Sequence, residues 1–338
     1  MKRREMLTGS LALGALAMTG CASTAGAQPT KAVGAGAPLA GVKTGPFWPN
    51  GARLAVSVCM QFEGGGQPIS GAPGPITVPV EPGVPDLTQN TYYEYGPNEG
   101  IPRMLELFDR HGIKVTSFMI GEAVDKRPDL AKEIVRRGHE AANHGKQWAF
   151  QYMLPPEQEK AWILSGQRSI ETATGVTPVG YDCYWMRGSV RTLELLQELG
   201  YIYHNNDLSR DEPYVQRING KPFAAVPYTA HLNDIASFDF DGYDADAYVR
   251  AVCDEFDQLY AEAATRRRMM SMSLHDRISG RPYRIPPLDR IFTYMKSKPG
   301  VWFARRDEIA RHALATPQRT LQVERPPAPI SGLPGRSH

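Results

Sequence analysis

Apolar and polar positions alternate along this chain in a pattern that predicts strands and helices in turn. The segment 54–62, LAVSVCMQF, is almost continuously apolar, which is typical of a short strand buried on both faces. A stripe of apolar residues at helical spacing then predicts a helix over 98–110, and Gly112 follows its end. Similar signals predict further strands over 114–120, 140–143, 179–181, 201–203, 224–227, 269–274 and 301–303. They also predict helices over 127–137, 156–174, 190–199, 244–265, 288–297 and 307–313.

The repeated alternation of strands and helices predicts an α/β fold with a parallel sheet. About seven or eight strands favour a closed or nearly closed TIM-like (β/α) barrel over an open doubly wound sheet. Neither a GxGxxG nor a GxxxxGK[ST] motif occurs in a strand-to-helix turn, so dinucleotide and phosphate-loop binding are weak interpretations. We predict a single barrel domain over 47–316. Residues 317–338 are rich in Pro, Arg and Ser, and we expect a loose tail there.

The first residues have the pattern of an export signal. A charged head, MKRRE, precedes an apolar run over 6–20, and Arg3 with Arg4 resembles a twin-arginine signal. Two processing sites remain open: a lipoprotein box that would leave Cys21 lipidated, and a small-x-small site that ends at Ala27. We expect a signal over 1–27, a linker over 28–46, and export to the periplasm or cell envelope of a bacterium. A lipid anchor at Cys21 would be the only contact with a membrane.

Composition narrows the class of partner. The chain has 38 basic and 36 acidic residues, a formal net charge of +2, so nothing in the charge balance favours nucleic acid. A hydrophobic content of 42% is enough for a buried core. The remaining cysteines, Cys59, Cys183 and Cys253, are widely spaced and form no CxxC motif, which argues against a zinc ribbon and a disulfide scaffold. A small molecule or a glycan therefore remains as the partner, and a homo-oligomer is possible.

Polar and ionisable residues follow the predicted strands, whereas the strands themselves are apolar. In parallel α/β folds the carboxyl ends of the strands meet on one side, and active sites form there. The candidates at these ends are Glu63, His144, Trp148, Asp182, Trp185, Asp207, Asn233, Asp234, His275 and Arg277. Each also has a purely structural interpretation, such as a loop carboxylate, a histidine bonded to a carbonyl group, or an aromatic ring packed at the rim. Gln61 lies two residues before Glu63, on the same face of the first strand.

Two motifs carry a family resemblance. The segment 138–148, GHEAANHGKQW, resembles the second motif of the polysaccharide deacetylase (NodB homology) superfamily, and 273–282, SLHDRISGRP, resembles its C-terminal histidine motif. Shorter similarities occur at 93–96, 226–228 with 233–234, and 301–305. Together they resemble the branch that contains metal-independent allantoinases, cyclic imide hydrolases and certain peptidoglycan deacetylases. The resemblance covers about residues 46–314.

The resemblance implies a distorted (β/α) barrel that hydrolyses a non-peptide carbon–nitrogen bond. In metal-dependent members, one Asp and two His hold a divalent ion, and a neighbouring Asp is the base. Carried over to this chain, the metal-binding positions fall on Glu63, His144 and Trp148, and the base falls on Gln61. Gln61 cannot take a proton, and Trp148 cannot bind the ion. The usual Arg-Pro motif is replaced by the segment 182–187, DCYWMR.

These departures favour a site without a metal. Glu63 and His144 fall short of the three protein ligands that a catalytic zinc normally has, although Asp182 or Asp207 could supply a third. We therefore predict no cofactor, with zinc bound through Glu63 and His144 as the alternative. Without a metal, Glu63 would be the general base if burial raises its pKa, and His275 would protonate the leaving nitrogen. His144 or Arg277 would stabilise the oxyanion.

The predicted walls favour a flat substrate. Trp148, Trp185 and the tyrosines at 92, 93 and 95 would line an apolar-sided pocket, and the predicted polar contacts to substrate are Asp182, Asn233, Asp234 and Arg277. A cyclic amide, imide or ureide suits such walls. One alternative is a metal-dependent deacetylase of N-acetylated polysaccharide or peptidoglycan. A second alternative is a non-catalytic ligand-binding barrel, which the loss of the usual base at Gln61 encourages.

Overall fold

The computed structural model describes residues 47–324; the predicted signal over 1–27 with Cys21, the whole predicted linker over 28–46 and the end of the tail lie outside this range. Its strands are β1 (Leu54–Phe62), β2 (Thr116–Met119), β3 (Glu140–Asn143), β4 (Gly180–Tyr181), β5 (Tyr203–His204), β6 (Tyr214–Ile218), β7 (Lys221–Ala225), β8 (Met269–His275), β9 (Val301–Phe303) and β10 (Leu321–Val323). Its α-helices are α1 (Leu87–Tyr95), α2 (Ile101–His111), α3 (Gly121–Lys126), α4 (Pro128–Arg136), α5 (Pro156–Thr174), α6 (Thr192–Glu198), α7 (Ala245–Glu262), α8 (Ile285–Lys296) and α9 (Arg306–Ala315).

Local sequence accounts for the best-defined elements. All nine residues of β1 are buried, as its continuous apolar run predicts. The apolar stripe of α2 faces the core, and the helix ends at Gly112, whose φ of 59° is a left-handed conformation that glycine adopts without strain. Asn219 and Gly220, both with positive φ, form the tight turn between β6 and β7.

The strands form one sheet in the order β10-β6-β7-β5-β4-β3-β2-β1-β8, with β9 beside the start of β1. All neighbours are parallel except the antiparallel hairpin β6–β7. Helices cover the outside of this sheet, and the α/β single-domain prediction is confirmed. No described helix is both long enough and apolar enough to cross a bilayer.

Strand pairing between residues 47 and 324 does not close the sheet into a ring, so the closed TIM-like barrel is not confirmed. Isolated contacts cross the gap beside β8, among them a single bridge between Asn233 and Ser273 and a hydrogen bond of 2.7 Å from the Met269 N–H to the Asp211 carbonyl. The segment that faces β8 consists of short 3-10 and π-helical turns over Ala230–Leu232 and Ile235–Phe240. Such turns use their backbone groups internally and cannot provide a ladder of strand hydrogen bonds.

Four elements differ from the sequence-based expectation. α3 lies between the predicted strand over 114–120 and the predicted helix over 127–137, where no helix is predicted. α1 lies in a segment for which no helix is predicted, and a π-helical turn over Gly96–Gly100 joins it to α2. β6 is likewise not predicted. β10 lies within the segment expected to be loose, where Leu321–Val323 pairs with the start of β6.

Candidate active site

The strand register gathers the predicted site residues at one end of the sheet. Gln61 is paired with His275 across β1 and β8, and Asn143 is paired with Met119 across β3 and β2. The residues that follow these strands therefore converge on a cavity of about 560 Å³. The predicted residues that line it are Glu63, His144, Trp148, Asp182, Trp185, Asn233, His275 and Arg277.

Glu63 is the centre of this site and is almost completely buried. Its Oε1 lies 3.2 Å from His144 Nε2, and its Oε2 accepts a hydrogen bond of 2.6 Å from Arg277 Nη1. His275 Nε2 lies 3.8 Å from the same Oε2. Burial alone would raise the pKa of Glu63, but the charges of His275, Arg277 and His144 outweigh it and hold this pKa well below its usual value. The condition stated for Glu63 as general base, a pKa raised by burial, is therefore not met in this arrangement, because three cations surround the carboxylate.

His144 contacts an acceptor at each ring nitrogen. Its Nδ1 lies 2.9 Å from the backbone carbonyl of Asp182 and donates to it, and its Nε2 faces Glu63. Burial lowers the pKa of His144, whereas the negative charges of Asp182 and Glu63 raise it, and the result is a pKa of about 9. Because both nitrogens face acceptors, the imidazolium form suits this position.

His275 is oriented by Asp234, which is fully buried. Asp234 Oδ1 lies 2.5 Å from His275 Nδ1, and its Oδ2 accepts from the His275 backbone N–H at 2.6 Å and from the Ser279 hydroxyl at 2.6 Å. Burial lowers the pKa of His275, but Asp234 and Glu63 raise it above its ordinary value. Asp234 does not line the cavity, which corrects its predicted contact with substrate: it lies behind His275 and acts through that ring.

The floor of the cavity has polar atoms without partners. Gln61 donates to Ser273 Oγ at 3.0 Å and faces Asp182 Oδ2 at 3.5 Å. Gln61 Oε1 and Asp182 Oδ1 are buried and accept no hydrogen bond from the described residues, and the Trp148 indole N–H in the wall donates none. Burial raises the pKa of Asp182. Two acceptors and one donor beside the cavity thus have no partner among the described residues, which is uncommon for buried polar atoms.

Aromatic rings form the wall. Trp148 stacks on Tyr184 at a centroid distance of 5.4 Å and meets Tyr93 edge-on at 5.1 Å. The Arg277 guanidinium lies 4.9 Å from the Tyr93 ring and 5.3 Å from the Trp148 ring. Of the three predicted tyrosines, Tyr92 and Tyr93 line the cavity and Tyr95 does not. The Arg281 guanidinium lies over the Tyr95 ring at 3.7 Å.

Two further predicted residues have their polar groups engaged by the protein itself. Asn233 lines the cavity, but its Nδ2 donates to the Tyr228 hydroxyl at 2.7 Å and its Oδ1 accepts from the Ile235 N–H at 2.8 Å. Asp207 is outside the cavity lining and accepts from Tyr214 and Ser209. Asn233 therefore contributes to the wall of the cavity, while both its amide nitrogen and its amide oxygen already bond to the protein.

Asp276 is a functional residue whose role the sequence did not reveal. It is fully buried, and its Oδ2 accepts the backbone N–H groups of Glu63 at 3.1 Å and Gly64 at 2.9 Å. The carboxylate therefore fixes the backbone at the point where β1 delivers Glu63 to the cavity. In the sequence, only the position of Asp276 directly after His275 indicates this role.

The described residues do not fit a divalent metal. Within 47–324, no group of three His, Cys, Asp or Glu side chains is arranged to hold an ion. Glu63 is occupied by Arg277, a cation that a bound metal would repel. The third ligand position falls on Trp148, and Asp182 faces the Nδ1 side of His144 at 3.8 Å rather than Nε2. The zinc alternative through Glu63 and His144 therefore lacks a third ligand.

Comparison with known proteins shows the family to which this chain belongs. The family model described as polysaccharide deacetylase matches residues 88–204. A Schizosaccharomyces pombe protein named for the polysaccharide deacetylases is 30% identical over 298 residues, which cover 80% of this chain and 92% of that protein. A solved structure from Pseudomonas aeruginosa, described as a probable polysaccharide deacetylase, has a TM-score of 0.75 and 34% identity and covers 80% of this chain and 94% of its own. The structure of Puue allantoinase has a TM-score of 0.74 and 32% identity, with 86% and 98% covered.

Proposed function

Because this chain belongs to the polysaccharide deacetylase family and is a hydrolase of carbon–nitrogen bonds, we propose that it opens a cyclic amide, imide or ureide. The observation that carries the proposal is the position of Glu63 between three cationic side chains, His144, His275 and Arg277. These cations supply the positive charge that an amide carbonyl needs as it becomes an oxyanion. We assign no step to a metal, because the Arg277 guanidinium bonds to the Glu63 carboxylate, where a metal ion would have to bind.

In the proposed reaction, the substrate carbonyl oxygen takes the hydrogen bond of Arg277 and lies beside His144. Glu63 then loses its hydrogen bond from Arg277, one of the contacts that stabilise the carboxylate, and becomes a stronger base. It accepts a proton from water as the water oxygen attacks the carbonyl carbon, and Arg277 with His144 stabilises the tetrahedral oxyanion.

Collapse of the tetrahedral intermediate breaks the carbon–nitrogen bond. His275 donates its Nε2 proton to the leaving nitrogen, which departs as a neutral amine or amide, and a carboxylic acid forms on the other fragment. Asp234 retains the Nδ1–H of His275 and keeps the ring aligned. For a cyclic substrate both products remain in one molecule, so the product is a ring-opened acid.

The unpaired polar atoms support a ring substrate. Gln61 Oε1 and Asp182 Oδ1 are acceptors and the Trp148 indole N–H is a donor, and all three lack partners among the described residues. A ring that alternates N–H and C=O groups carries the complementary groups, and such a flat ring suits the aromatic wall of Trp148 and Tyr184. The similarity to Puue allantoinase also supports this choice.

Deacetylation of an N-acetylated polysaccharide or peptidoglycan is the second candidate function. The names of the Schizosaccharomyces pombe and Pseudomonas aeruginosa relatives favour it. An acetamido group also offers one N–H and one carbonyl, and a sugar ring also packs on aromatic side chains. A non-catalytic binding barrel is the third, because Gln61 stands at the family position of the base and cannot take a proton.

We also propose that the protein is exported by a signal over 1–27. The pattern of Arg3 and Arg4 before an apolar run supports this proposal, and the fate of Cys21 distinguishes a lipid-anchored form from a free one. Mass spectrometry of the protein recovered from the cell envelope gives the mature N-terminus. A homo-oligomer is a further possibility that light scattering of the same sample tests.

The decisive experiment is a substrate panel on the mature protein with and without a chelator. It contains a cyclic ureide, a cyclic imide and N-acetylglucosamine oligomers. We expect turnover of a ring substrate that the chelator leaves unchanged, and a loss of about two orders of magnitude or more in Glu63→Ala and His275→Ala. The matched controls are Glu106→Ala and His231→Ala, whose side chains are exposed and outside the cavity lining.

The other outcomes identify the alternatives. Glycan deacetylation that the chelator abolishes would favour the second candidate. Saturable binding of these ligands without turnover would favour the binding barrel. Near-normal activity in both Glu63→Ala and His275→Ala would overturn the proposed roles.

A further inference from the structure

Two exposed aromatic rings meet at the mouth of the cavity. Trp185 and Phe240 stack with a centroid distance of 6.0 Å and an interplanar angle of 15°. Both line the cavity, yet Trp185 is 44% exposed and Phe240 is 65% exposed. Rings this exposed contribute little to core packing, so their stacking needs another explanation.

The backbone beneath Trp185 is strained. Trp185 and Met186 have φ values of 53° and 55°, a left-handed conformation that is uncommon in residues other than glycine. Two hydrogen bonds hold it, from the Met186 N–H to the Cys183 carbonyl at 2.7 Å and from the Arg187 N–H to the Tyr184 carbonyl at 3.2 Å. Strained residues of this kind concentrate at functional sites, where the surrounding structure maintains them.

The stack joins two loops on either side of β5. Trp185 follows β4, and Phe240 ends the turn over Ile235–Phe240 that comes after β7. In the sheet, β5 lies between β4 and β7. The two rings therefore connect the loops above the carboxyl end of β5 and close that side of the cavity mouth.

We propose that Trp185 and Phe240 form a specificity gate that admits a compact ligand or a chain end and excludes the interior of a polymer. A glycan chain can lie across an active site only where the cleft is open on both sides. Here the stack occupies one side and blocks the path along which further sugar units would extend from the cavity. Which substrate the protein uses, compact or polymeric, rests on the proposed function. The gate rests only on the position of the two rings at the mouth of the cavity.

A binding measurement tests the gate separately from catalysis. The ligands are N-acetylglucosamine and its hexamer, measured by calorimetry with the mature protein, Trp185→Gly and Phe240→Ala. Glycine accepts the left-handed backbone at 185, so Trp185→Gly removes the ring without adding strain. Tyr283→Ala is the matched control, because this tyrosine is 62% exposed and does not line the cavity.

We expect the wild-type protein and Tyr283→Ala to bind the monomer and the hexamer with similar affinity. In Trp185→Gly and Phe240→Ala, the hexamer is expected to bind about tenfold more tightly than the monomer. The double variant should add little to either single variant, because each already destroys the same stack. A wild-type protein that strongly prefers the hexamer would overturn the proposal. So would an unchanged ratio in both variants, or variants that do not bind the hexamer.

Activity distinguishes the gate from the proposed chemistry. Phe240 lies six residues after Asp234, so its substitution must be checked against the alignment of His275. If Phe240→Ala hydrolyses a ring amide with the same pH profile of kcat as the wild-type protein, the alignment of His275 is intact. If that profile changes while the ratio of hexamer to monomer affinity does not, the result argues against the gate. If ring amides are not substrates, the proposed function fails while the binding ratio still reports on the gate.

Discussion

His275 and Asp234 show how one side chain determines the proton state of another. The Asp234 carboxylate contacts both the ring and the backbone N–H of His275. Its charge opposes the effect of burial and keeps the pKa of His275 above the ordinary value, which favours the protonated ring that a leaving nitrogen requires. The position of His275 at a strand end is predictable from sequence. The direction in which Asp234 points from an irregular segment is not.

Asp234→Asn is expected to shift the alkaline limit of activity to lower pH. Without the carboxylate, burial dominates and the pKa of His275 falls, so the proton donor is lost at a lower pH than in the wild-type protein. We expect a lower kcat as well, measured as a pH–kcat profile on a ring amide. Ser279→Ala is the matched control, since it removes one hydrogen bond to Asp234 and leaves the carboxylate in place. An alkaline limit at the same pH in Asp234→Asn would show that Asp234 does not control this proton.

At the scale of elements, a residue that follows β8 holds the backbone at the end of β1 in place. Asp276 bonds to the backbone of Glu63 and Gly64, and the turn over Gly96–Gly100 packs against Asp276 from the other side. A Cβ at Gly100 would lie far inside van der Waals distance of the Asp276 carbonyl oxygen. The start of α2 can therefore approach this loop only because Gly100 has no side chain.

Gly100→Ala is expected to destabilise the fold by about 1–3 kcal/mol through overpacking. The φ of Gly100 is −68°, which alanine adopts readily, so any loss of stability comes from the steric contact and not from backbone strain. Urea unfolding measures the change, and activity is expected to fall with it because Asp276 holds Glu63. Glu106→Ala, an exposed position in the same helix, should leave the free energy of unfolding nearly unchanged. Equal stability of the two variants would contradict the tight contact.

The sequence predicts elements with strong periodicity and misses those that tertiary contacts create. α2 and β1 carry clear apolar patterns, and both form as predicted. α1, with the sequence LTQNTYYEY, has no apolar stripe, and it is held by contacts such as that from the buried Gln89 side chain to the Ala72 carbonyl. Contacts between residues distant in sequence leave no local pattern.

At the scale of the whole molecule, a buried arginine links strands that are far apart in the order of the sheet. Arg306, the first residue of α9, is fully buried. Its Nη1 donates to the Val226 carbonyl at 2.6 Å, its Nε contacts Cys59 Sγ at 2.9 Å, and its Nη2 bonds to Ser271 Oγ. One side chain thus ties the end of β7 to β1 and β8, with which β7 does not pair. In the sequence this arginine cannot be distinguished from the exposed ones of the same helix.

Arg306→Met is expected to lower the free energy of unfolding by about 2–4 kcal/mol. Methionine fills much of the space but leaves the Val226 and Pro227 carbonyls without their donor, and a buried acceptor without a partner costs about 1–3 kcal/mol. Arg306→Lys keeps the charge but loses the planar fork, so we expect an intermediate loss. Arg311→Ala is the control in α9, because that side chain is 59% exposed. Arg306 also opposes the rise in the pKa of Asp182, so activity of folded Arg306→Met should fall further than that of Arg306→Lys. If Arg306→Met is as stable as Arg311→Ala, the fold does not depend on this side chain to link the end of β7 to β1 and β8.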